Sequence, residues 1–250
     1  MSAEIEVLKD AVARLEKAGI RYMLTGSMAL AYYAPPRMTR DIDLVVELDP
    51  AGAQRVAELF APDYYLLPED ASRAARERGI FNALHLGHLV KVDFVVRKDD
   101  AFRRNEFERR TRVPMPGFQA WIVTKEDLIL SKLVWAKDSG SELQLRDARA
   151  LLAAGADAEY LRRWAGELGV ADLPGQARAW MTPTPEFREF VRRRFAELTP
   201  QERVAMCADM FESARLLVEA SLPPQADSRT RRRMLCERFY GAELARKAGL

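Results

Sequence analysis

The sequence predicts an α/β (α+β) fold in which a mixed-sheet core is followed by a C-terminal helical domain. Short apolar runs bounded by turn residues alternate with helix-period segments in the first half of the chain, as in a sheet covered by helices. From Thr124 onward the apolar spacing is almost entirely helical. The 250 residues, 48% hydrophobic and 30% charged, suffice to bury such a core and argue against disorder as the main state.

The first helix, strand and turn follow from residues 2–33. Apolar residues recur at helical spacing between Ser2 and Ala18, which predicts an amphipathic opening helix. Ile20 to Thr25 has the composition of a short buried strand. Gly26-Ser27 ends that strand before an Ala-rich helical segment that runs to about Tyr33, so the order is strand, small-residue turn, helix.

Pro35-Pro36 end this helix, and further strands follow. Apolar and β-branched residues predict four of them: Ile42–Glu47, Phe81–Leu86, Val90–Val96 and Ala120–Val123. After the first of these, Asp49-Pro50 predicts a cap and a first-turn proline for a helix through about Phe60.

The second half of the chain is predicted to be helical, with one boundary. Thr124 with Asp127 resembles a capping box at a helix start, and Glu142 to Ala154 predicts a second helix. Several prolines and glycines fall between Asp172 and Glu186, so we expect a domain at 1–172 and a small helical domain at 186–250. Thr199-Pro200-Gln201-Glu202 carries the clearest helix start signal of that tail.

Composition excludes some classes of function. Lys plus Arg is 39 and Asp plus Glu is 37, so the net charge of +2 excludes a globally polycationic nucleic-acid binder. Two cysteines cannot form a disulfide framework and suit a reducing compartment, so we expect a cytoplasmic protein. No apolar run approaches the roughly 18 residues that cross a bilayer, so we expect no membrane partner.

Three aspartates form the most informative pattern. Asp41 and Asp43 are two residues apart on a predicted strand, so both carboxylates point to one face. Asp93 lies near the start of another strand, and pairing of the two strands would bring it beside them. Three adjacent carboxylates repel one another unless cations neutralise them, which favours a site for Mg²⁺ or Mn²⁺. Two such ions can activate a nucleophile and stabilise the leaving oxygen in phosphoryl chemistry.

The Gly26-Ser27 turn suits the other half of such chemistry. Glycine lets the backbone approach a ligand closely, and the amides at a helix start attract phosphate. The Ser27 hydroxyl adds a hydrogen bond.

Gly-Ser, then Asp-x-Asp on a strand, then a lone Asp on a later strand resembles the DNA polymerase β-like nucleotidyltransferase superfamily. The resemblance covers about Ile20 to Leu152. It implies a nucleotidyltransferase core in which Gly26 and Ser27 hold the phosphates of a nucleoside triphosphate. It also implies that Asp41 and Asp43 bind metal ions. Asp93 would be a metal ligand or the base for the attacking group.

The string Arg37-x-Thr39-x-Asp-Ile-Asp is most similar to minimal bacterial nucleotidyltransferases grouped with AbiEii-type toxins. Their later helices carry a Lys and an Arg-Asp pair, matched here by Lys132 and by Arg146-Asp147. The resemblance implies that Lys132 takes part in catalysis and that Arg37, Thr39 and Asp147 help to bind the nucleotide. It also implies a tRNA acceptor and an antitoxin partner.

The sequence therefore predicts metal-dependent transfer of a nucleoside monophosphate from a nucleoside triphosphate to an acceptor. Small molecules such as aminoglycosides, or proteins, are alternative acceptors. A module that binds a nucleotide or a partner without turnover also stays open. A sugar-nucleotide glycosyltransferase is disfavoured because its apolar strand should precede the Asp-x-Asp motif, whereas here the apolar run follows the motif. A two-metal nuclease is disfavoured because it would give no reason for the Gly26-Ser27 turn.

Two assignments compete with ordinary structural roles. Lys132 could be a solvated helix residue rather than a phosphate ligand. Asp147 could form a helix-surface ion pair beside Arg146.

Overall fold

The computed structural model describes residues 2–61, 63–172, 189 and 193–250. The chain forms two compact units. The first consists of Met1–Tyr22, Met38–Lys98 and Ala205–Leu250, and the second of Met23–Arg37 and Asp99–Val204. Among the residues described, no helix is long and apolar enough to cross a membrane.

The secondary structure elements are, in chain order, α1 (Ala3–Lys17), β1 (Tyr22–Leu24), α2 (Gly26–Tyr33), β2 (Asp41–Val46), α3 (Pro50–Phe60), β3 (Tyr64–Tyr65), α4 (Pro68–Glu77), β4 (Ile80–His85), β5 (Val90–Val96), α5 (Ala101–Glu108), β6 (Thr111–Met115), β7 (Phe118–Ile122), α6 (Lys125–Ser139), α7 (Glu142–Ala153), α8 (Ala158–Leu168), α9 (Pro200–Ala220), α10 (Ser228–Tyr240) and α11 (Ala242–Lys247).

The strands of the first unit pair in the order β3-β4-β5-β2. β2 and β5 are parallel, whereas β5 with β4 and β4 with β3 are antiparallel. In the second unit the order is β1-β7-β6, with β1 parallel to β7 and β6 antiparallel to it. Both units therefore combine helices with mixed strand pairing, and the predicted α/β class is confirmed.

The core of the first unit lies on one face of its strands. Alternate residues of β2 are buried, and Ile42, Leu44 and Val46 form its apolar face. Phe60 of α3 packs edge-on against Phe94 of β5, with ring centroids 5.2 Å apart. The opposite face of β2 carries Asp41 and Asp43, as the two-residue period predicts.

The C-terminal helices belong to this unit's packing. Leu235 and Cys236 of α10 and Ala245 of α11 form one buried cluster with Leu84 and Leu89 of the β4–β5 hairpin. The boundary predicted between residues 172 and 186 lies almost entirely outside the described residues, so the division into 1–172 and 186–250 stays a prediction.

The second unit packs its helices around a separate core. Phe102 of α5, Leu130 of α6 and Trp164 of α8 form a buried cluster there. The Thr124 side chain accepts a hydrogen bond from the Asp127 amide at 3.4 Å, so the predicted start of α6 is confirmed.

Several boundaries differ from the sequence-based expectation. β1 is three residues long, shorter than the run from Ile20 to Thr25, and α2 begins at Gly26 itself. α4 was not predicted, although its buried residues Ala71, Ala74 and Ala75 recur at helical spacing. The short elements β3, β6 and α5 and the helix α8 were likewise not predicted.

Candidate functional site

The candidate site of the first unit lies on the polar face of β2 and β5. In the parallel register Asp43 pairs with Asp93, and Asp41 pairs with Lys91. Neighbouring strands run about 4.8 Å apart, and side chains of paired residues point to the same face. The expected approach of Asp93 to the first two aspartates is therefore confirmed.

The line of polar side chains on this face of the sheet continues from β5 onto β4. Asn82 of β4 pairs with Asp93 across the antiparallel ladder, so Asp43, Asp93 and Asn82 occupy one line across three strands. All three side chains offer oxygen atoms, the donor type that hard divalent cations prefer.

Lys91 places a positive charge between two of the aspartates. Its Nζ atom lies 2.8 Å from Asp93 Oδ2 and 3.5 Å from Asp41 Oδ2. Burial alone would lower the pKa of Lys91, but the hydrogen bond to Asp93 and the charge of Asp41 outweigh it and raise that pKa. The side chain is therefore an ammonium ion at neutral pH. Sequence reasoning missed Lys91, although its spacing of two from Asp93 places it on the same face.

Asp41 has an oxygen atom available for a cation. Its Oδ1 atom is buried and has no hydrogen-bond partner among the described residues. Burial raises the pKa of Asp41, the charge of Lys91 lowers it and the charge of Asp93 raises it, with a net upward shift. A buried carboxylate oxygen without a donor costs free energy that a bound cation would recover.

The residues present fit a divalent cation on two observations, the orphaned Asp41 oxygen and the ammonium that lies between Asp41 and Asp93. No group of three or more His, Cys, Asp and Glu side chains that could hold a metal ion by itself is found among the described residues. The predicted metal site therefore stays a prediction.

Thr39 supports the backbone at the start of β2. It is buried, and its hydroxyl donates to the carbonyl oxygen of Asp41 at 3.1 Å. That bond fixes the entry of the chain into the strand, and the nucleotide contact predicted for Thr39 stays untested.

A cavity of about 450 Å³ opens beside Asp41. The side chains that line it come from the strands and from the C-terminal helices, and they are Arg40, Asp41, Tyr65, Leu67, Asp70, Asn82, Lys91, Phe239, Tyr240, Glu243, Leu244 and Lys247. Arg40 Nη1 donates to the Phe239 carbonyl oxygen at 2.6 Å, and the Tyr240 hydroxyl donates to the Arg40 carbonyl oxygen at 3.3 Å. No local pattern could reveal these contacts, because about 200 residues separate the partners.

The second unit carries the Gly26-Ser27 turn. Gly26 has φ of +66°, a left-handed conformation that favours glycine, and α2 begins at this residue. Ser27 is buried, and the Thr25 side chain makes no capping hydrogen bond to the first amides of the helix. The turn thus has the predicted strand-to-helix geometry.

Lys132, Asp147 and Arg37 meet in the second unit. Lys132 Nζ lies 2.8 Å from Asp147 Oδ2, and both side chains are almost fully buried. Arg37 donates to both carboxylate oxygens, with Nη2 to Oδ2 at 2.9 Å and Nε to Oδ1 at 3.1 Å. Burial would raise the pKa of Asp147, but Arg37 and Lys132 outweigh it and lower that pKa.

This cluster bears on the two competing structural roles. Lys132 is 4% exposed and therefore is not a solvated helix residue. Asp147 is buried and pairs with Lys132 and Arg37 across the unit, so a helix-surface pair with Arg146 is wrong. Lys132 also donates to Gln144 at 3.1 Å. Contacts of these residues with a nucleotide stay predictions.

No protein-family model matches the chain, and no curated protein matches it. Among solved structures, the chain is similar to an antigenic nucleotidyltransferase-like protein from Paracoccidioides brasiliensis, with 17% identity, 67% of this chain and 88% of that chain covered, and a TM-score of 0.42.

The chain is also similar to a lincosamide antibiotic adenylyltransferase with lincomycin bound, with 16% identity, 56% of this chain and 90% of that chain covered, and a TM-score of 0.38. A third similar structure is that of a tRNA-processing enzyme, with 11% identity, 99% of this chain and 88% of that chain covered, and a TM-score of 0.32. At these values the likenesses assign the chain neither a family nor an activity.

Proposed function

We propose that the protein is a metal-dependent nucleotidyltransferase that transfers a nucleoside monophosphate from a nucleoside triphosphate to an acceptor nucleophile and releases pyrophosphate. The observation that carries the proposal is the placement of Asp41, Asp43 and Asp93 on one face of two paired strands. Carboxylates on one face of paired strands supply the oxygen ligands that hard divalent cations prefer.

Asp41, Asp43 and Asp93 would hold Mg²⁺ or Mn²⁺ in this proposal. The bound cations would supply charge neutralisation at the reacting phosphate. If Asp93, which lies on the same face as Asp43, is not itself a metal ligand, it would accept the proton of the acceptor nucleophile. Most of the catalytic effect would then come from positioning and electrostatics.

The proposal assigns phosphate binding to Gly26 and Ser27. Supporting it, Gly26 has a positive φ at the start of an eight-residue helix whose first amides receive no side-chain cap. The positively charged side chains of Lys132 and Arg37 would contact the phosphates of the nucleotide. Asp147, which pairs with both, would hold these two side chains in place. Asp147 would then act on the nucleotide through its partners.

We propose a small molecule with a hydroxyl or amino group as the acceptor. The cavity beside Asp41 has the volume of a site for a small ligand, and three of its lining residues are aromatic. Its lining contains three basic side chains, Arg40, Lys91 and Lys247, and three acidic ones, Asp41, Asp70 and Glu243. Such a balance suits a polar small molecule better than RNA, whose binding depends on uncompensated cations.

A tRNA acceptor is the second candidate. Residues 161–250 hold 16 basic and 12 acidic side chains, so the basic excess of the chain lies in its tail. An AbiEii-like toxin role with an antitoxin partner would accompany this candidate and derives from the sequence resemblance, whereas the proposed cytoplasmic location rests on the two cysteines.

The test is a labelling experiment. The purified protein is incubated with each α-labelled nucleoside triphosphate, Mg²⁺ and total cell extract, and label is then measured in small molecules, RNA and protein. We expect label in small molecules other than the triphosphate and its hydrolysis products, and label in RNA would favour the second candidate. Label that stays entirely in the triphosphate and its hydrolysis products would contradict the transferase and favour a binding module.

A further inference from the structure

Lys91 holds a position that the proposed function leaves unexplained. We propose that Lys91 is an internal counter-ion, which neutralises Asp41 and Asp93 while no divalent cation is bound and must be displaced for one to bind. The inference rests on the proposed function, because it concerns the same carboxylates. It adds a property that a carboxylate site alone lacks, namely competition between a side chain and the metal ion.

The distances place the ammonium between two of the carboxylates that would hold the cation. Lys91 Nζ contacts Oδ2 of Asp93 at 2.8 Å and Oδ2 of Asp41 at 3.5 Å, so it lies between the same two oxygens. A divalent ion of this type binds carboxylate oxygens at about 2.0–2.6 Å. An ammonium and a divalent cation held by the same carboxylate would repel each other. Occupancy by one therefore excludes the other.

The strand register explains why Lys91 reaches both aspartates. Lys91 and Asp93 are two residues apart on β5, so they project from the same face. The parallel pairing sets Lys91 directly opposite Asp41 on β2. The lysine side chain is 19% exposed, so it is held against the sheet rather than extended into solvent. Release of the ammonium only requires rotation of its flexible stem.

The consequence for metal binding has a definite sign. Without the ammonium, Asp41 and Asp93 would repel each other with no compensation, and a divalent cation would gain both carboxylates without breaking an ion pair. Lys91→Met should therefore bind a divalent cation more tightly than the wild type. If Lys91 had only a structural role, the affinity should change in the opposite direction, because loss of the lysine would disorder the aspartates and weaken metal binding.

The experiment measures Mn²⁺ binding directly. The full-length protein is titrated with Mn²⁺, and free ion is followed by electron paramagnetic resonance. We expect Lys91→Met to lower the dissociation constant at least tenfold, and Lys91→Arg, which keeps the positive charge, to give no such gain. Lys98→Met is the matched control, since Lys98 is an exposed lysine just beyond β5, and it should leave the constant unchanged.

The outcomes separate this inference from the proposed function. If the wild type binds Mn²⁺, Asp93→Asn abolishes binding and Lys91→Met binds equally or more weakly, the counter-ion inference fails while the metal site stands. If neither the wild type nor Lys91→Met binds Mn²⁺, both fail. Circular dichroism checks the fold, and Lys91→Ala replaces Lys91→Met should the latter not fold.

Discussion

At the scale of single residues, Glu4 is the most unusual titratable group of the first unit. It is fully buried on α1, and no other described residue donates a hydrogen bond to either carboxylate oxygen. Burial raises the pKa of Glu4 to about 7 against the lowering effect of its own backbone amide, and the charge of Glu212 adds to the rise while that of Arg215 opposes it. The folded chain therefore binds a proton at Glu4 that the unfolded chain releases at lower pH.

The free energy of unfolding should consequently fall as pH rises from about 4.5 to about 7, by about 3 kcal/mol at roughly 1.4 kcal/mol per unit of pKa shift. Glu4→Gln should remove most of that loss, so it should be more stable than the wild type at pH 8. Urea unfolding at pH 5 and pH 8 measures both effects. Exposed Glu77→Gln is the control, and equal stability of Glu4→Gln and wild type at pH 8 would refute the assignment.

Asp147 allows a second prediction on a single residue. Its buried carboxylate forms ion pairs with Lys132 and Arg37. Asp147→Asn would therefore leave the buried Lys132 ammonium without its counter-charge. We expect a loss of about 3–5 kcal/mol in the free energy of unfolding. Chemical denaturation of Asp147→Asn beside the exposed Asp138→Asn tests this, and a loss no larger than that of the control would contradict it.

At the scale of elements, local rules account for faces and caps, whereas pairing depends on the whole sheet. The period of two assigns Asp41 and Asp43 to one face, and the same rule applies to Lys91 and Asp93. The parallel pairing of β2 with β5 cannot be deduced from local sequence patterns, because packing of the whole sheet determines which strands pair when they are distant in sequence. α4 was missed although its buried residues Ala71, Ala74 and Ala75 recur at helical spacing.

The start of α9 illustrates an element that local chemistry does predict. Thr199 Oγ1 accepts from the Glu202 amide at 3.2 Å, and Glu202 Oε2 accepts from the Thr199 amide at 2.7 Å, which completes a capping box. Thr199→Ala should lower the free energy of unfolding by about 1 kcal/mol. Thr199→Ser should restore it in the same denaturation assay, and no difference between the two variants would refute the cap.

At the scale of the molecule, the first unit joins residues from both ends of the chain. Met1–Tyr22 and Ala205–Leu250 belong to the same unit, and Leu235 of α10 packs with Leu84 of β4. The division into 1–172 and 186–250 rests on prolines and glycines, which are local signals that carry no information on this return of the chain, and it stays a prediction. The α/β class could be predicted, since it depends on element types rather than on their partners.

The packing of the tail leads to a prediction for the whole unit. Leu235→Ala should cost about 2–5 kcal/mol in the free energy of unfolding, because it opens a cavity in a core shared with the sheet. Hydrogen exchange should then quicken in β4 and β5 as well as in α10. Faster exchange in α10 alone would contradict a shared core and would support an independent tail domain.

The central claim is that Asp41, Asp43 and Asp93 form a cation-dependent nucleotidyl-transfer site. The most direct measurement is the rate of pyrophosphate release from nucleoside triphosphate with Mg²⁺ and cell extract, compared between Asp43→Asn and Asp138→Asn. The account predicts that Asp43→Asn lowers the rate at least about a hundredfold, with no loss of thermal stability, because the substitution removes a ligand and relieves repulsion. Equal rates for the two variants would contradict it.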